Sequence, residues 1–419
     1  MNFLLLLTFI PLVFTYDGFL SLSLNKFQDP VEELIKNFTD LFDAQQKTVG
    51  DETGSFQVEL SNARTYYFID LKVGNPQQSI RTMIDTGSAD LWFIGKDNLQ
   101  CASNGGTVDC QLYGTFDESK SSTWQTNNTA FEIGYLDGSE ATGIMGKDGI
   151  EFAENFALDN AEFAVVKNTT ENIGVFGIGY SKLESTNATY SNIPKLLKDQ
   201  GVISKVAYSI YLNSKNSTQG YILFGGIDYA KFDGELTDYD IVPFSGQYLY
   251  SQIALSHISF SCNNYTGSNN GPRVGAVAYN GTGSFNGAVD IKNQPALLDT
   301  GTTYTYLLQK QVESLVKNFG NSSYNQLFGM YNVPCYIGNP GNYFTFNFGQ
   351  QGYQVDASEF VINNPVGGCL FTILNSVDGS LILGDNFLRS VYALFDLEDN
   401  KISLAQANYN DNHQVVPIY

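Results

Sequence analysis

The chain has 419 residues, and 43% of them are hydrophobic, so a sizeable buried core is within its reach. This length favours two or more domains or lobes, each with its own core. The formal net charge of -21 argues against nucleic acid as a partner, because contacts to phosphate need clustered Lys and Arg. The same charge produces self-repulsion that is relieved when carboxylates become protonated, which suits an acidic working environment.

The N-terminus opens with a mainly apolar run over residues 4–14. Its length fits the core of a signal peptide and is too short to cross a bilayer, so we predict a signal peptide over residues 1–20. A buried strand or an anchor are the alternatives. Residues 21–54, with helical spacing over 31–42 and a polar linker after it, are predicted to be a propeptide rather than an N-terminal helix of the fold. The polar C-terminus predicts no membrane anchor.

Beyond residue 56 the sequence changes to short apolar segments that are separated by turn residues. The pattern predicts strands, among them segments over residues 66–73, 131–135, 221–224, 381–383 and 402–405. Helical spacing is confined to residues 193–200 and 309–319. Residues 262–293, rich in Gly, Asn and Ser, are predicted to form a long exposed loop. The predicted fold class is therefore all-β with a few short helices.

The five cysteines contain no Cys-x-x-Cys pair, which argues against a zinc or thioredoxin-like site, and we predict no metal and no cofactor. The economical local pairing in an oxidising compartment predicts disulfides Cys101–Cys110 and Cys335–Cys369. Cys262 is then left as a free thiol or an intermolecular link.

Asn-x-Ser/Thr sequons occur eight times, which after a signal-like start is typical of a secreted glycoprotein. One of them, Asn37, falls in the predicted propeptide. The predicted glycosylation sites are the other seven, Asn127, Asn168, Asn187, Asn216, Asn264, Asn280 and Asn321.

One five-residue pattern occurs twice, as residues 84–88 and residues 298–302. Each copy carries one carboxylate, Asp85 or Asp299, on a tight Gly turn that ends an apolar run. The halves also share a second pattern, because residues 175–179 resemble residues 381–385, about 90 residues after each Asp. A two-fold repeat would bring the two acids together on its axis.

Two facing acids cannot both ionise easily, so such a pair shares one proton and titrates in two separated steps. One carboxylate can then take a proton from water while the other acid gives a proton to a carbonyl oxygen. The loops offer groups that would hold the pair in place. Thr86 and Thr300 can bond across the interface, Ser88 and Thr302 can bond the outer oxygens, and Gly87 and Gly301 permit close backbone approach.

These motifs make the chain resemble the pepsin-like aspartic proteases of peptidase family A1, and the secreted yeast candidapepsin type in particular. The similarity covers residues 56–407. The matching stretches are the first acid loop at residues 85–92, a flap hairpin at 135–139, residues 221–228, the second acid loop at 299–303 and a closing motif at 383–389. The resemblance implies a bilobal fold with two pseudo-symmetric β-barrel-like lobes, at residues 55–228 and 229–419.

The resemblance also implies roles for single residues. Asp85 and Asp299 are the expected catalytic dyad. Tyr135 is the expected flap tyrosine, with Trp92 as its hydrogen-bond donor. The remaining expected substrate-binding residues are Asp137 and Gly138 in the flap, Met83 and Leu297 before the acids, and Gly301, Thr302 and Thr303 along the substrate backbone.

The sequence therefore predicts a secreted, extracellular aspartic endopeptidase that hydrolyses peptide bonds at acidic pH. Its expected partner is a polypeptide bound extended in the cleft between the lobes, and the chain is expected to be a monomer. The alternative is a catalytically silent binding or inhibitor protein of the same fold. Such relatives lose a dyad acid or the flap tyrosine, and this chain keeps all three.

Overall fold

A computed structural model describes residues 15–16, 19–28, 65–136, 138–153, 156–262, 285–364 and 367–419. The core of the predicted signal peptide, the predicted propeptide helix and linker, and the sequons at Asn37, Asn264 and Asn280 lie outside these residues, as does Asp137. The described part consists mainly of strands, which confirms the predicted fold class.

The strands of the first half are β1 (Thr15–Tyr16), β2 (Phe19–Gln28), β3 (Thr65–Val73), β4 (Gln78–Asp85), β5 (Leu91–Ile94), β6 (Gln125–Gly134), β7 (Glu140–Ala153), β8 (Phe156–Thr169), β9 (Gly174–Gly177), β10 (Ala207–Tyr211), β11 (Gln219–Phe224), β12 (Gly226–Asp228) and β13 (Phe232–Asp240). Those of the second half are β14 (Gln252–Cys262), β15 (Phe285–Leu298), β16 (Thr305–Leu307), β17 (Ser323–Asn325), β18 (Met330–Val333), β19 (Tyr343–Phe348), β20 (Gln351–Asp356), β21 (Val361–Asn363), β22 (Cys369–Phe371), β23 (Ile373–Asn375), β24 (Leu381–Leu383), β25 (Val391–Asp396), β26 (Lys401–Ala407) and β27 (Val415–Pro417).

The α-helices are α1 (Ile193–Asp199), α2 (Gln309–Val316) and α3 (Asp385–Leu388). Single 3₁₀ turns occur at Ala102–Asn104, Ser181–Leu183, Tyr229–Lys231, Lys317–Phe319, Cys335–Gly338 and Ala357–Phe360. The two predicted helical segments are confirmed by α1 and by α2 with the 3₁₀ turn that follows it. Both helices bury one apolar side, as their spacing of apolar residues predicts.

The largest sheet joins both halves of the chain. Its strand order is β13-β26-β25-β10-β11-β2-β3-β4-β9-β5-β8-β7-β6, with β1 beside β2. Strands β25 and β26 come from the end of the chain and pair with β10 and β13 of the first half. A seven-stranded sheet in the order β20-β19-β14-β15-β24-β16-β23 forms most of the second half. A four-stranded sheet (β17-β18-β22-β21) and the pair β12-β27 complete the fold.

The two halves repeat one strand arrangement. In the first half, β9 lies parallel to β4 and antiparallel to β5, and β5 is parallel to β8. In the second half, β24 lies parallel to β15 and antiparallel to β16, and β16 is parallel to β23. The similar segments found in the sequence, residues 175–179 and 381–385, therefore occupy equivalent places, at β9 and at β24. The repeat fixes where each acid loop leaves its sheet.

Strand β2 is an interior member of the large sheet, although it lies across the predicted boundary between signal peptide and propeptide. It pairs with β11 on one side and with β3 on the other. Its alternating leucines, Leu20, Leu22 and Leu24, are at most 3% exposed and belong to the main core. The strand forms here because this period-two pattern places every leucine on one buried face.

The predicted exposed loop at residues 262–293 is wrong at its C-terminal end. Residues 285–293 belong to β15, which pairs along its length with β14. Val289 and Ile291 point into the core. Asn286 and Gly287 pair with β14 in regular register, and the ladder is irregular where Lys292 and Asn293 adopt positive φ angles.

We predict that Leu22→Ala lowers the free energy of unfolding of the full-length chain by about 3 kcal/mol, because it leaves a cavity in the main core. Urea unfolding followed by fluorescence measures the loss. Leu99→Ala is the matched control, since Leu99 is 67% exposed and its truncation should change the stability little. Equal stabilities for the two variants would contradict a structural role for β2.

Candidate active site

The two acid loops begin where parallel strands end in the centre of each sheet. Asp85 is the last residue of β4, and Asp299 directly follows β15. The backbone carbonyl of Asp85 accepts a hydrogen bond from the N–H of Ile178, and the N–H of Asp299 donates to the carbonyl of Leu383, at 2.9 and 3.0 Å. The backbone of each acid is therefore fixed by the neighbouring strand, β9 for Asp85 and β24 for Asp299.

The two carboxyl groups receive equivalent hydrogen bonds. The N–H groups of Gly87 and Gly301 donate to Oδ1 of Asp85 and of Asp299 at 2.7 and 2.9 Å. The hydroxyls of Ser88 and Thr302 donate to the two Oδ2 atoms at 2.5 and 2.6 Å. Asp85 is 5% exposed and Asp299 is 7% exposed. Each acid is thus buried and oriented by its own loop, and its side chain is hydrogen-bonded to that of the other acid.

The glycines show how closely the loops approach each other. A Cβ atom added to Gly301 would lie 2.6 Å from Oδ1 of Asp85, and one added to Gly87 would lie 2.9 Å from Oδ1 of Asp299. Contacts this short do not occur between real atoms of these types, so any side chain at either position would push the opposite acid away. The Gly in each pattern is therefore required by the facing loop.

Two threonines connect the loops across the junction of the lobes. The hydroxyl of Thr86 donates to the carbonyl of Leu298, and that of Thr300 donates to the carbonyl of Ile84, at 2.7 and 3.0 Å. Each hydroxyl also accepts the backbone N–H of the other threonine, at 3.1 and 3.2 Å. We call these four bonds the threonine grip. Both threonines are at most 1% exposed, so the grip is shielded from water.

The surroundings raise the pKa of Asp85 well above its usual range. Burial is the largest cause, followed by the negative charge of Asp299 and a hydrogen bond with its side chain. The bonds from Ser88 and Gly87 lower the pKa, each by less than burial or the charge of Asp299 raises it. The pair therefore retains a proton to a pH at which an isolated aspartate would have lost it.

A hairpin of β6 and β7 extends from the first half, with Tyr135 at the start of its turn. The turn is closed by bonds from the N–H of Tyr135 to the carbonyl of Ser139 and from the N–H of Gly138 to the carbonyl of Tyr135. Gly138 has a φ of +86°, which a residue with a side chain rarely adopts. At the tip, Leu136 is 58% exposed.

The indole N–H of Trp92 donates to the hydroxyl of Tyr135 at 2.7 Å, as the sequence analysis expects. Trp92 is fully buried on β5. Burial raises the pKa of Tyr135 well above its usual range, and the charge of Asp85 adds to this effect. The tyrosine therefore stays neutral, within the electrostatic reach of the acid pair.

The other expected substrate-binding residues lie around the pair. Met83 and Leu297 are half-buried on β4 and β15, two residues before their acids. The carbonyls of Thr302 and Thr303 accept bonds from the N–H groups of Asp385 and Asn386, so helix α3 supports the second loop. Their roles in holding substrate stay predictions.

A buried charged cluster, for which the sequence indicated no role, lies behind the second loop. Arg389 pairs with Glu359 at 2.5 Å, and both side chains are 6% exposed. Asp385 is fully buried, and burial raises its pKa well above the usual range, against the charge of Arg389. Asp385 and Arg389 lie in the closing motif that the sequence singled out, whereas Glu359 carries no signal.

The cysteines and most of the sequons lie within the described residues. The structure contains disulfides Cys101–Cys110 and Cys335–Cys369, and Cys262 is a buried free thiol. Among the described residues, no helix is long and apolar enough to cross a membrane. The sequon asparagines within the described ranges are all exposed, namely Asn127, Asn168, Asn187, Asn216 and Asn321.

Comparison with known proteins gives a consistent result. The family model for eukaryotic aspartyl protease matches residues 66–407. Secreted aspartic protease 7 of Candida albicans is 55% identical over 381 residues, which is 88% of this chain and 64% of that protein. Aspartic proteinase yapsin-3 of Saccharomyces cerevisiae is 35% identical, over 86% of this chain and 69% of its own length. Acid protease of Saccharomycopsis fibuligera is 31% identical, over 91% and 96%.

The chain thus spans slightly less than two thirds of secreted aspartic protease 7 of Candida albicans, and more of the other two proteins. The matched region contains both acid loops, the hairpin with Tyr135 and helix α3. The chain belongs to the eukaryotic aspartyl protease family.

Proposed function

We propose that this chain is a secreted aspartic endopeptidase, which hydrolyses peptide bonds at acidic pH with Asp85 and Asp299 as its catalytic pair. The observation that carries the proposal is the pair of buried acids, which receive equivalent hydrogen bonds from their own loops and bond each other through their side chains. Membership of the family and the names of its relatives support the reaction class and the secretion.

In the proposed reaction the pair begins with one shared proton. The carboxylate takes a proton from a water molecule as the water oxygen bonds to the carbonyl carbon of the peptide. The protonated acid gives its proton to the carbonyl oxygen at the same time. When the resulting diol collapses, the acid that took its proton from water gives that proton to the amide nitrogen, and the bond from carbon to nitrogen breaks. The other carboxylate takes the proton of one diol hydroxyl as the new carboxylic acid forms, so the pair again holds one proton. The step needs no covalent intermediate.

The hairpin with Tyr135 supplies the expected lid. An extended peptide in the cleft can add strand-like hydrogen bonds to such a hairpin, and closure excludes water from the acids. The bond from Trp92 fixes the tyrosine ring beside the pair. We infer that Met83, Leu297 and the backbone at Gly301, Thr302 and Thr303 complete the substrate site, and that Asp137 and Gly138 act with the flap. A monomer suffices for this arrangement, because both acids come from one chain.

The predicted division into signal peptide (1–20), propeptide (21–54) and lobes (55–228 and 229–419) has a structural consequence. Strand β2 belongs to the part that would be removed, and it fills the place between β11 and β3. We infer that the arrangement described here is that of the precursor. On maturation another segment must take the place of β2, or the three leucine sites of the core would open to water.

We predict that Asp299→Asn abolishes cleavage of denatured haemoglobin at about pH 4, with a loss of a thousandfold or more, because the amide cannot take part in proton sharing. The rate of cleavage by the wild-type protein should fall as the pH rises and the pair loses its shared proton, in agreement with the raised pKa of Asp85. Exposed Asp411→Asn is the control and should cleave normally. A wild-type protein that is folded but inactive would support the silent binding protein instead.

The threonine grip leads to a second prediction, which concerns catalysis and stability together. Thr300→Ala leaves the carbonyl of Ile84 and the N–H of Thr86 without partners, so it should cost about 2 kcal/mol of unfolding free energy. We expect kcat to fall by about tenfold or more, since the acids lose their alignment. Thr300→Ser keeps the hydroxyl and should retain most of both quantities. Denaturant unfolding and initial rates measure the effects, and equal losses in the two variants would argue against the grip.

Processing and glycosylation can be tested together. We predict that the protein secreted from a yeast host begins near residue 55 and carries glycans at exposed sequons such as Asn127 and Asn321. Intact mass before and after glycosidase treatment gives both the N-terminus and the occupancy of the sites. An active secreted protein that still contains residues 21–54 would contradict the proposed propeptide.

A further inference from the structure

A loop of the first lobe grips the chain just after the first acid loop. This loop covers residues 181–192, between β9 and α1. The N–H and the hydroxyl of Ser185 both donate to Oδ2 of Asp90, at 2.9 and 2.7 Å. The hydroxyl of Tyr190 donates to Oδ1 of Asp90 at 2.7 Å. Asp90 is fully buried, so its carboxyl group is a fixed anchor for the loop.

The anchored loop is packed against the residues that orient Asp85. The N–H of Gly179, just before the loop, donates to the carbonyl of Ser88 at 2.7 Å, and the N–H of Gly177 donates to the carbonyl of Asp90 at 3.0 Å. The hydroxyl of Ser88 in turn holds Oδ2 of Asp85. A movement of the loop away from Asp90 would therefore remove support from the chain that aims the catalytic acid.

Glu184 lies in the same loop, directly before Ser185. Its Oε2 accepts the N–H of Tyr190 at 2.7 Å, while its buried Oε1 has no hydrogen-bond partner among the described residues. Two acidic groups face Glu184, namely Asp90 beside the first acid loop and Glu162 on β8. Nearby Lys182 is exposed, and none of the ion pairs within the described residues includes Glu184.

We propose that Asp90, Glu184, Ser185 and Tyr190 form a carboxyl brace, in which Glu184 is the pH-sensitive member and holds the 181–192 loop against the Asp85 loop only while it is uncharged. When Glu184 ionises, it places a negative charge beside Asp90, whose own pKa is also raised by burial, and the loop separates. The part of the inference that concerns catalysis rests on the proposed function, whereas the part that concerns loop release does not.

The direction of the pH dependence follows from the titration of Glu184. Burial, with smaller contributions from Asp90 and Glu162, raises its pKa to about 8, and the bonds from the Tyr190 and Asn192 N–H groups oppose this. The folded state therefore binds the proton more tightly than the unfolded chain does. Stability is then full in acid and is lost as the pH rises from the ordinary glutamate value of 4.5 toward 8. The brace is closed in the acidic range in which the dyad is proposed to work.

The experiment uses Asp299→Asn as the parent, so that self-digestion cannot occur. We compare the parent with Asp299→Asn/Glu184→Gln between acidic and mildly alkaline pH, and follow tertiary structure by near-ultraviolet circular dichroism. Glutamine is an uncharged substitute at all these pH values. We expect it to raise the pH of half-loss by roughly half a unit or more. Asp159→Asn, an exposed carboxyl-to-amide change on β8, is the matched control and should not shift it.

Hydrogen exchange provides a second measurement, which uses the Asp299→Asn parent alone and does not require that the Glu184→Gln variant folds. In the parent, peptides covering residues 181–192 should lose protection at a lower pH than peptides from β10, after correction for intrinsic rates. The same pH of half-loss with and without Glu184, or simultaneous opening of both regions, would overturn the brace. Wild-type protein that is folded but cleaves nothing in acid would refute the proposed function alone, because neither structural measurement needs activity.

Discussion

Two like acids face each other in a buried junction, and the geometry of the site follows from the need to keep them there. Two full charges so close together would repel strongly with little water to screen them, so the pair is stable only when a proton is shared. Each carboxyl group receives one backbone N–H and one hydroxyl from its own loop, and the threonine grip holds both loops together from behind.

The repeated strand arrangement is what makes this symmetry possible. Because β9 and β24 lie beside β4 and β15 in equivalent ways, the loops meet as near copies. The bonds to the carboxyl group and to the threonine in one loop have counterparts in the other. The hairpin breaks the symmetry, since Tyr135 and its bond to Trp92 belong to the first half of the chain. It gives the two acids different surroundings, as the proposed roles of general acid and general base require.

Much of this arrangement could be predicted from the sequence, and the limits have physical reasons. The short patterns around Asp85 and Asp299 report local chemistry, so the glycines, hydroxyls and strand ends beside them were found correctly. The partner of Trp92 was expected from the family resemblance and lies where it was expected. Residues 285–293 were misjudged because Gly and Asn content measures turn tendency, whereas pairing with β14 decided their structure. Glu184 and Glu359 gave no signal, because burial and the lack of a partner are tertiary properties of single, ordinary glutamates.

The same physics joins the stability of the fold to the chemistry of the site. Burial raises the pKa values of Asp85, Asp90, Glu184 and Asp385, and each of these groups therefore binds its proton more tightly in the folded chain than in the unfolded one. All four contributions have one sign, so these four groups make the folded state less stable as the pH rises. The net charge of -21 acts in the same direction through repulsion across the surface. A shared proton and a stable lobe thus require the same acidic range, since both depend on carboxyl groups that are costly to ionise.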